Sequence, residues 1–185
     1  TQGVSSAASD VYKRQEKYHE DLIICSACIG GEIPQHILNG RMDKAEESVL
    51  WFKNLFGEDY YLEIQRHETH DPNAAQDVYP HQVTANKAIL ELARKHNIKV
   101  IATNDVHFVN AEDAEAHDRL ICLSTGKDLD DPNRMRYTKQ EWMKTTAEMN
   151  TIFSDIPEAL SNTLEIADKV EFYSIDHGPI LSLIH

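Results

Sequence analysis

Three short apolar runs govern what this chain can become. They are LIICS (22–26), YYLEIQ (60–65) and KVIAT (99–103), and each is followed by a segment of helical character. Runs of this length bounded by turn residues read as buried strands. After the first, Gly30 and Gly31 break the chain, and Ile33 to Leu38 read as a short helix ended by Asn39 and Gly40. Asp43 with Glu46 predicts a capping box for a helix to about Phe56, with Val49, Leu50, Phe52 and Leu55 as apolar positions and Gly57 as its stop. After the second run, Pro80 starts a helix to about His96, with Val83, Ile89, Leu90 and Ala93 inward and Asn97 ending it. The third run leads into a helix of roughly Ala111 to Ser124. Strictly alternating strands and helices predict an α/β fold with a parallel sheet or barrel. Beyond it lie a polar loop (Gly126 to Tyr137) and helical stretches around Ala147 to Phe153 and Pro157 to Lys169.

Side chains on a strand alternate faces. If extension persists past the third run, Ile101, Thr103, Asp105 and His107 share one face, which turns from apolar to metal-competent toward the strand's carboxyl end. In parallel α/β folds that end carries the site. The same rule puts Glu63, Gln65 and His67 on one face, and Leu22, Ile24, Ser26 and Cys28 on another. Cys, His and Asp all bind transition metals. Each has an ordinary reading beside that one. A buried Cys is usually a small hydrophobe, and a strand-end His is more often hydrogen-bonded or exposed. Asp105 and His107, converging at the expected end, carry the strongest signal.

Cys25 and Cys28 also match C-x-x-C, but no second such pair completes a zinc site, and Gly30-Gly31 oppose a redox helix starting there. Cys122 sits in an apolar helix stripe and reads as core. His19, His36, His70, His81, His96, His117 and His177 stand in polar contexts and are expected to face solvent. No phosphate-binding Gly loop and no G-x-S-x-G occurs.

The formal charge of −13, from 18 basic and 31 acidic residues, opposes direct binding to phosphate backbones and suits divalent cations better. The 3 cysteines are too few for a disulfide scaffold, which favours a reducing, cytoplasmic setting. No apolar run approaches membrane-spanning length, so no membrane partner is expected.

The two ends look foreign. Residues 5–15 read SSAASDVYKRQ and residues 181–185 read LSLIH. One codon choice for DVYKRQ, reverse-complemented, encodes LSLIHI, so both ends fit one DNA element in opposite orientations. It resembles the transposase end used in sequencing libraries. Residues 1–15 and 181–185 are therefore expected to be adapter-derived and non-native, and the biological segment is expected to be a fragment.

CSACIGGEIP, YYLEIQRH, IATNDVHF, LDDPNRMRY, TAEM and DIPEALSNTLEIADKVEF occur in one order and at fitting spacing. Together they resemble the bacterial replicative DNA polymerase III alpha subunits over essentially all of Glu16 to Ile180. The resemblance implies a partial polymerase-and-histidinol-phosphatase (PHP) domain over 16–125, a distorted (β/α) barrel. A helical connector toward the polymerase palm follows over 126–180. It implies a divalent metal cluster near the strand carboxyl ends, with Cys28, Asp105 and His107 as ligands and His67 near the site. The mixed sulfur, nitrogen and oxygen donors suit Zn, Mn or Fe.

In lineages with a degenerate site the position of His107 is replaced, so an intact Asp-x-His favours retained metals. The implied activities are DNA-templated synthesis and metal-dependent 3′–5′ exonuclease proofreading. The polymerase aspartates, with their Mg, and the remaining PHP ligands lie outside the segment. No residue here is thus expected to be catalytic, and the segment alone is expected to be inactive. Primer-template DNA and other replicase subunits are the implied partners, through the full-length protein. Two alternatives stay open: a PHP domain serving only as scaffold for the polymerase core and a proofreading subunit, and a stand-alone PHP phosphoesterase.

Overall fold

The computed structural model describes residues 6–174 and 176. It confirms the alternation. Strand β1 (Ile24–Cys25), β2 (Tyr60–Ile64) and β3 (Val100–Ala102) form one parallel sheet in the order β1-β2-β3. Ile24 pairs with Tyr60, and Leu62 with Val100. Tyr60, Tyr61, Leu62 and Ile64 are all buried, as expected for a central parallel strand covered on both faces. Among the described residues the sheet is open, with three strands, and is not closed into a barrel.

Helix α1 (Ser6–Lys17) comes first and lies largely within the stretch expected to be foreign; its Tyr12 donates to Glu32 at 2.6 Å and meets Trp51 edge-on. Helices α2 (Glu32–Leu38) and α3 (Met42–Phe56) follow β1. The capping box of Asp43 and Glu46 does not form: the helix starts one residue earlier, and its N-cap is Arg41, without a side-chain bond. Asp43 then sits inside the first turn, where a carboxylate still favours the helix dipole. Glu46 instead meets Lys95 and His96 at 2.6 and 2.7 Å. Gly57 ends the helix with φ +58°, which glycine adopts without strain.

Helix α4 (Val78–His96) joins β2 to β3. Its buried stripe is Gln82, Ala85, Asn86, Ile89, Leu92 and Ala93, and Asn97 ends it in the left-handed conformation. Val83, expected inward, is 52% exposed. The inward position is Gln82 because its amide serves buried hydrogen bonds, a need that apolar periodicity does not register. Leu22 is also exposed, so only Ile24 and Cys25 pair as strand.

A short 3₁₀ turn leads to α5 (Ala114–Thr125), with Cys122 buried as expected. Helices α6 (Thr146–Ile152) and α7 (Pro157–Lys169) then return to the sheet. Thr145 and Glu148 form a full capping box for α6. Phe153 and Ala159 join the same core as Ile33, Val49, Leu62 and Ile89, and Asn162 donates to the Val100 carbonyl at 2.8 Å. Arg66, after β2, makes a paired contact with Asp155 at 2.6 and 2.8 Å.

One further expectation is corrected in part. His19, His36, His96 and His117 are half-buried rather than solvent-facing, whereas His70 and His81 are exposed. His177 and residues 181–185 lie outside the described residues. No helix among the described residues is long and apolar enough to cross a membrane.

Candidate metal site at the carboxyl ends of the strands

The loop after β1 places Cys28 by a turn, not by strand alternation. The Ser26 amide still donates to the Tyr61 carbonyl at 3.1 Å, but Ala27 takes φ +65° and ends the extension. The Gly31 amide then donates to the Cys28 carbonyl at 2.8 Å. A side chain at Gly31 would put its Cβ 2.6 Å from the Ser26 oxygen and 3.1 Å from the Cys28 oxygen, so only glycine lets the turn close. Cys28 ends half-buried beside a small cavity lined also by Glu63, Gln65, Gln82 and Asn86. Burial, reinforced by Glu63, pushes the Cys25 thiol up to about 11, which keeps it protonated at neutral pH and speaks against a C-x-x-C redox pair.

The loop after β3 departs from alternation in the same way. Thr103 continues the ladder through its amide to the Ile64 carbonyl at 3.1 Å, but Asp105 adopts φ +45°. Asp105 and His107 therefore do not extend the face of Ile101 and Thr103; a tight turn positions them. His107 Nδ1 lies 2.6 Å from the Asp105 carbonyl. That oxygen only accepts, so Nδ1 carries the proton and the Nε2 lone pair is left for a ligand. Metal-binding histidines are commonly oriented by such a bond.

Tyr137, from the distant loop before α6, packs against the second of these loops. Its ring is 4.7 Å from that of His107 and 5.1 Å from that of His117, centre to centre. Burial raises its phenol, and Asp105, Glu141 and Cys28 raise it further through their charge. Of the three expected ligands, His107 is the one in ring contact with Tyr137.

His67 is bonded inside the protein through its ring. It is 2% exposed, its Nε2 lies 3.2 Å from the Asn104 carbonyl, and Nδ1 lies 3.1 Å from the Gln82 amide nitrogen. Nε2 therefore donates and Nδ1 accepts, so both ring nitrogens are used inside the protein. Gln82 closes the loop by accepting from the His67 amide at 2.7 Å. Burial lowers the His67 pKa, against an opposing pull from Glu141, and holds the ring neutral.

Cys28, Asp105 and His107 have the donor chemistry of a divalent-cation site, and His107 has the right tautomer. Among the described residues no three His, Cys, Asp or Glu side chains are placed to hold an ion. Sequence reading missed Tyr137, His117 and Glu141. The first two carry no local pattern, whereas Thr138 and Glu141 have the Thr-x-x-Glu spacing of a self-closing turn.

Comparison with known proteins identifies the class first. Residues 3–67 match the family model of the PHP domain, a range that runs from before β1 through β2 to His67. The similarity then extends past that domain. The DNA polymerase III subunit alpha of Borreliella burgdorferi is 44% identical over 168 residues, which cover 90% of this chain and 14% of the relative. Those of Campylobacter jejuni and Pseudomonas aeruginosa are 40% and 41% identical, over 85% and 81% of this chain and 13% and 12% of their own lengths. The chain belongs to the DNA polymerase III alpha subunit family and spans about one seventh of the length of these relatives.

Proposed function

We propose that the chain is part of a replicative DNA polymerase III alpha subunit, to which it contributes a portion of a metal-holding PHP domain. The observation that carries this reading is identity of up to 44% along nine-tenths of the chain to proteins of that name. In the full-length protein the activity is DNA-templated DNA synthesis on primer-template DNA, together with other replicase subunits. Residues 16–125 would be the PHP portion and residues 126–180 the connector.

Cys28, Asp105 and His107 would hold divalent cations, with the remaining ligands supplied from elsewhere in the full-length protein. Bound there, such ions supply Lewis acidity for phosphodiester hydrolysis, in the sense of 3′–5′ proofreading. This chain's own contribution is to fix the donors: Gly31 closes the Cys28 turn, and the Asp105 carbonyl sets the His107 tautomer. His67 stays neutral beside the site and orders the polypeptide without binding metal. The net charge of −13 makes this region a poor surface for DNA, so substrate strands would be held by other parts of the protein.

The test is release of a mismatched 3′ nucleotide by the full-length protein. His107→Ala and Cys28→Ala are expected to lower it at least about tenfold while primer extension persists. Unchanged nucleotide release and unchanged metal content in both variants would refute the hydrolytic reading. The scaffold reading has one observation in its favour: α6 and α7 share the core of the sheet, so this region ties the connector firmly to the PHP portion.

A further inference from the structure

Two loops meet at the carboxyl end of β3, and each turns on a non-glycine residue in the left-handed region: Asp105 at φ +45° and Lys139 at φ +65°. Such residues persist where surrounding bonds over-determine them, and they cluster at functional sites. Here the bonds run from one loop to the other. Asn104 Nδ2 donates to the carbonyls of Gln140 and Trp142 at 2.9 and 2.7 Å. The amides of His107 and Phe108 donate to the Glu141 carbonyl at 2.7 and 3.3 Å. Phe108 and Trp142 form a parallel bridge. Asp105, which supplies the His107 orienting carbonyl, is enclosed by these ties.

The Glu141 side chain closes the second loop upon itself. It is 3% exposed, and Oε1 accepts from the Thr138 amide and hydroxyl at 3.0 and 2.6 Å. The Gln140 amide donates to the Thr138 hydroxyl at 3.1 Å, and Lys139 is pinned outside by Asp71 and Glu115 at 2.8 and 2.6 Å. Oε2 is buried with no hydrogen-bond partner among the described residues. Leaving a buried carboxylate oxygen without a partner is costly, and an ordinary surface turn has no need of it. What the carboxylate achieves is to aim the carbonyls of Gln140, Glu141 and Trp142 at the Asp105–His107 loop.

We propose that Glu141 is a positioning residue for the Asp105–His107 pair, acting through the closed turn Thr138–Glu141 and its bonds to Asn104, His107 and Phe108. The inference rests on the metal-site reading above and extends it. The site loop is set by a segment that lies outside both β3 and the residues matched to the PHP family. Changes in the segment leading away from the domain are therefore transmitted to the ligands.

The experiment uses the full-length protein with Glu141→Ala, Glu141→Gln and Asn104→Ala. Two quantities are read: amide hydrogen exchange of residues 104–108, and Zn affinity by chelator competition. Glu141→Ala is expected to lose loop protection and to weaken Zn binding about tenfold or more. Glu141→Gln keeps an acceptor oxygen for Thr138 and is expected to match the unsubstituted protein in both. Asn104→Ala cuts the same tie from the other side and decides the matter if Glu141→Ala does not fold. Unchanged protection and affinity in Glu141→Ala, or Glu141→Gln failing as badly as Glu141→Ala, would overturn the proposal. Cys28→Ala and His107→Ala serve as the separate check on the metal reading. If they bind Zn normally, that reading fails, and the loop-exchange measurement alone still decides whether Glu141 positions the loop.

Discussion

The two ends of the sheet treat their polar groups in opposite ways. At the amino end, Glu165 of α7 gathers Lys99 at 2.5 Å and the Tyr61 hydroxyl at 2.7 Å, while Lys169 reaches Asp59 at 2.9 Å. These are mostly ion pairs within reach of water. At the carboxyl end, His67, Gln82, Asn104 and Glu141 are all buried, and their ties are mainly hydrogen bonds between neutral groups and backbone. Exposed pairs are adjustable and contribute little, whereas buried networks fail as a unit when one member is lost. The end with the candidate ligands is therefore the stiff one, as a site that must hold donors at fixed positions requires.

Substitutions can break this contrast, and the largest effect is expected at Gly31. Its Cβ would meet backbone oxygens, which cannot rotate aside, so Gly31→Ala is expected to destabilise by about 3 kcal/mol and to displace Cys28. Denaturant unfolding of the variant checks this; a loss under about 1 kcal/mol would mean that the turn is softer than its geometry implies. Next comes Gln82→Leu, which strands the His67 amide and one ring nitrogen in a buried site. A loss of about 2 kcal/mol is expected.

The pH dependence of stability sharpens the contrast, because each end responds in its own window. His67 has a lowered pKa in the fold, chiefly from burial. Above the ordinary value of 6.5 neither the folded nor the unfolded chain protonates it, and its contribution is intact. Below that value the unfolded chain takes up a proton that the fold resists, so stability falls as the pH drops. His67→Gln should flatten this part of the profile. Glu165 is held at about 2 by its bond from Lys99, then by Tyr61. Its contribution is present above the ordinary 4.5 and is lost only as the pH falls from there toward 2. At neutral pH, Glu165→Gln should shift the melting midpoint by no more than about 2 °C.

Much of the sheet was legible because its strands are short, apolar and punctuated. Gly57 and Asn97 marked helix ends by backbone chemistry that acts locally. The misreadings share a different cause. Val83 looked inward because apolar periodicity cannot foresee that Gln82 is wanted inside for its amide. Asp105 and His107 share one tight turn after β3, and alternation gave the wrong reason for their placement. A left-handed residue after β3 turns the chain, and nothing in TNDVHF specifies that turn by itself. Its determinants, Thr138 to Trp142, lie some thirty residues downstream. Only the Thr-x-x-Glu spacing hinted at a closed turn there, and no local signal said what it would grip.

The most direct measurement concerns Cys28, the one sulfur donor among the three candidate ligands. The full-length protein, stripped and reconstituted with Co²⁺, should show a near-ultraviolet thiolate-to-cobalt band that disappears in Cys28→Ser and is perturbed in His107→Ala. A band of unchanged intensity in Cys28→Ser would contradict the assignment of Cys28 to a metal site at the carboxyl ends of these strands.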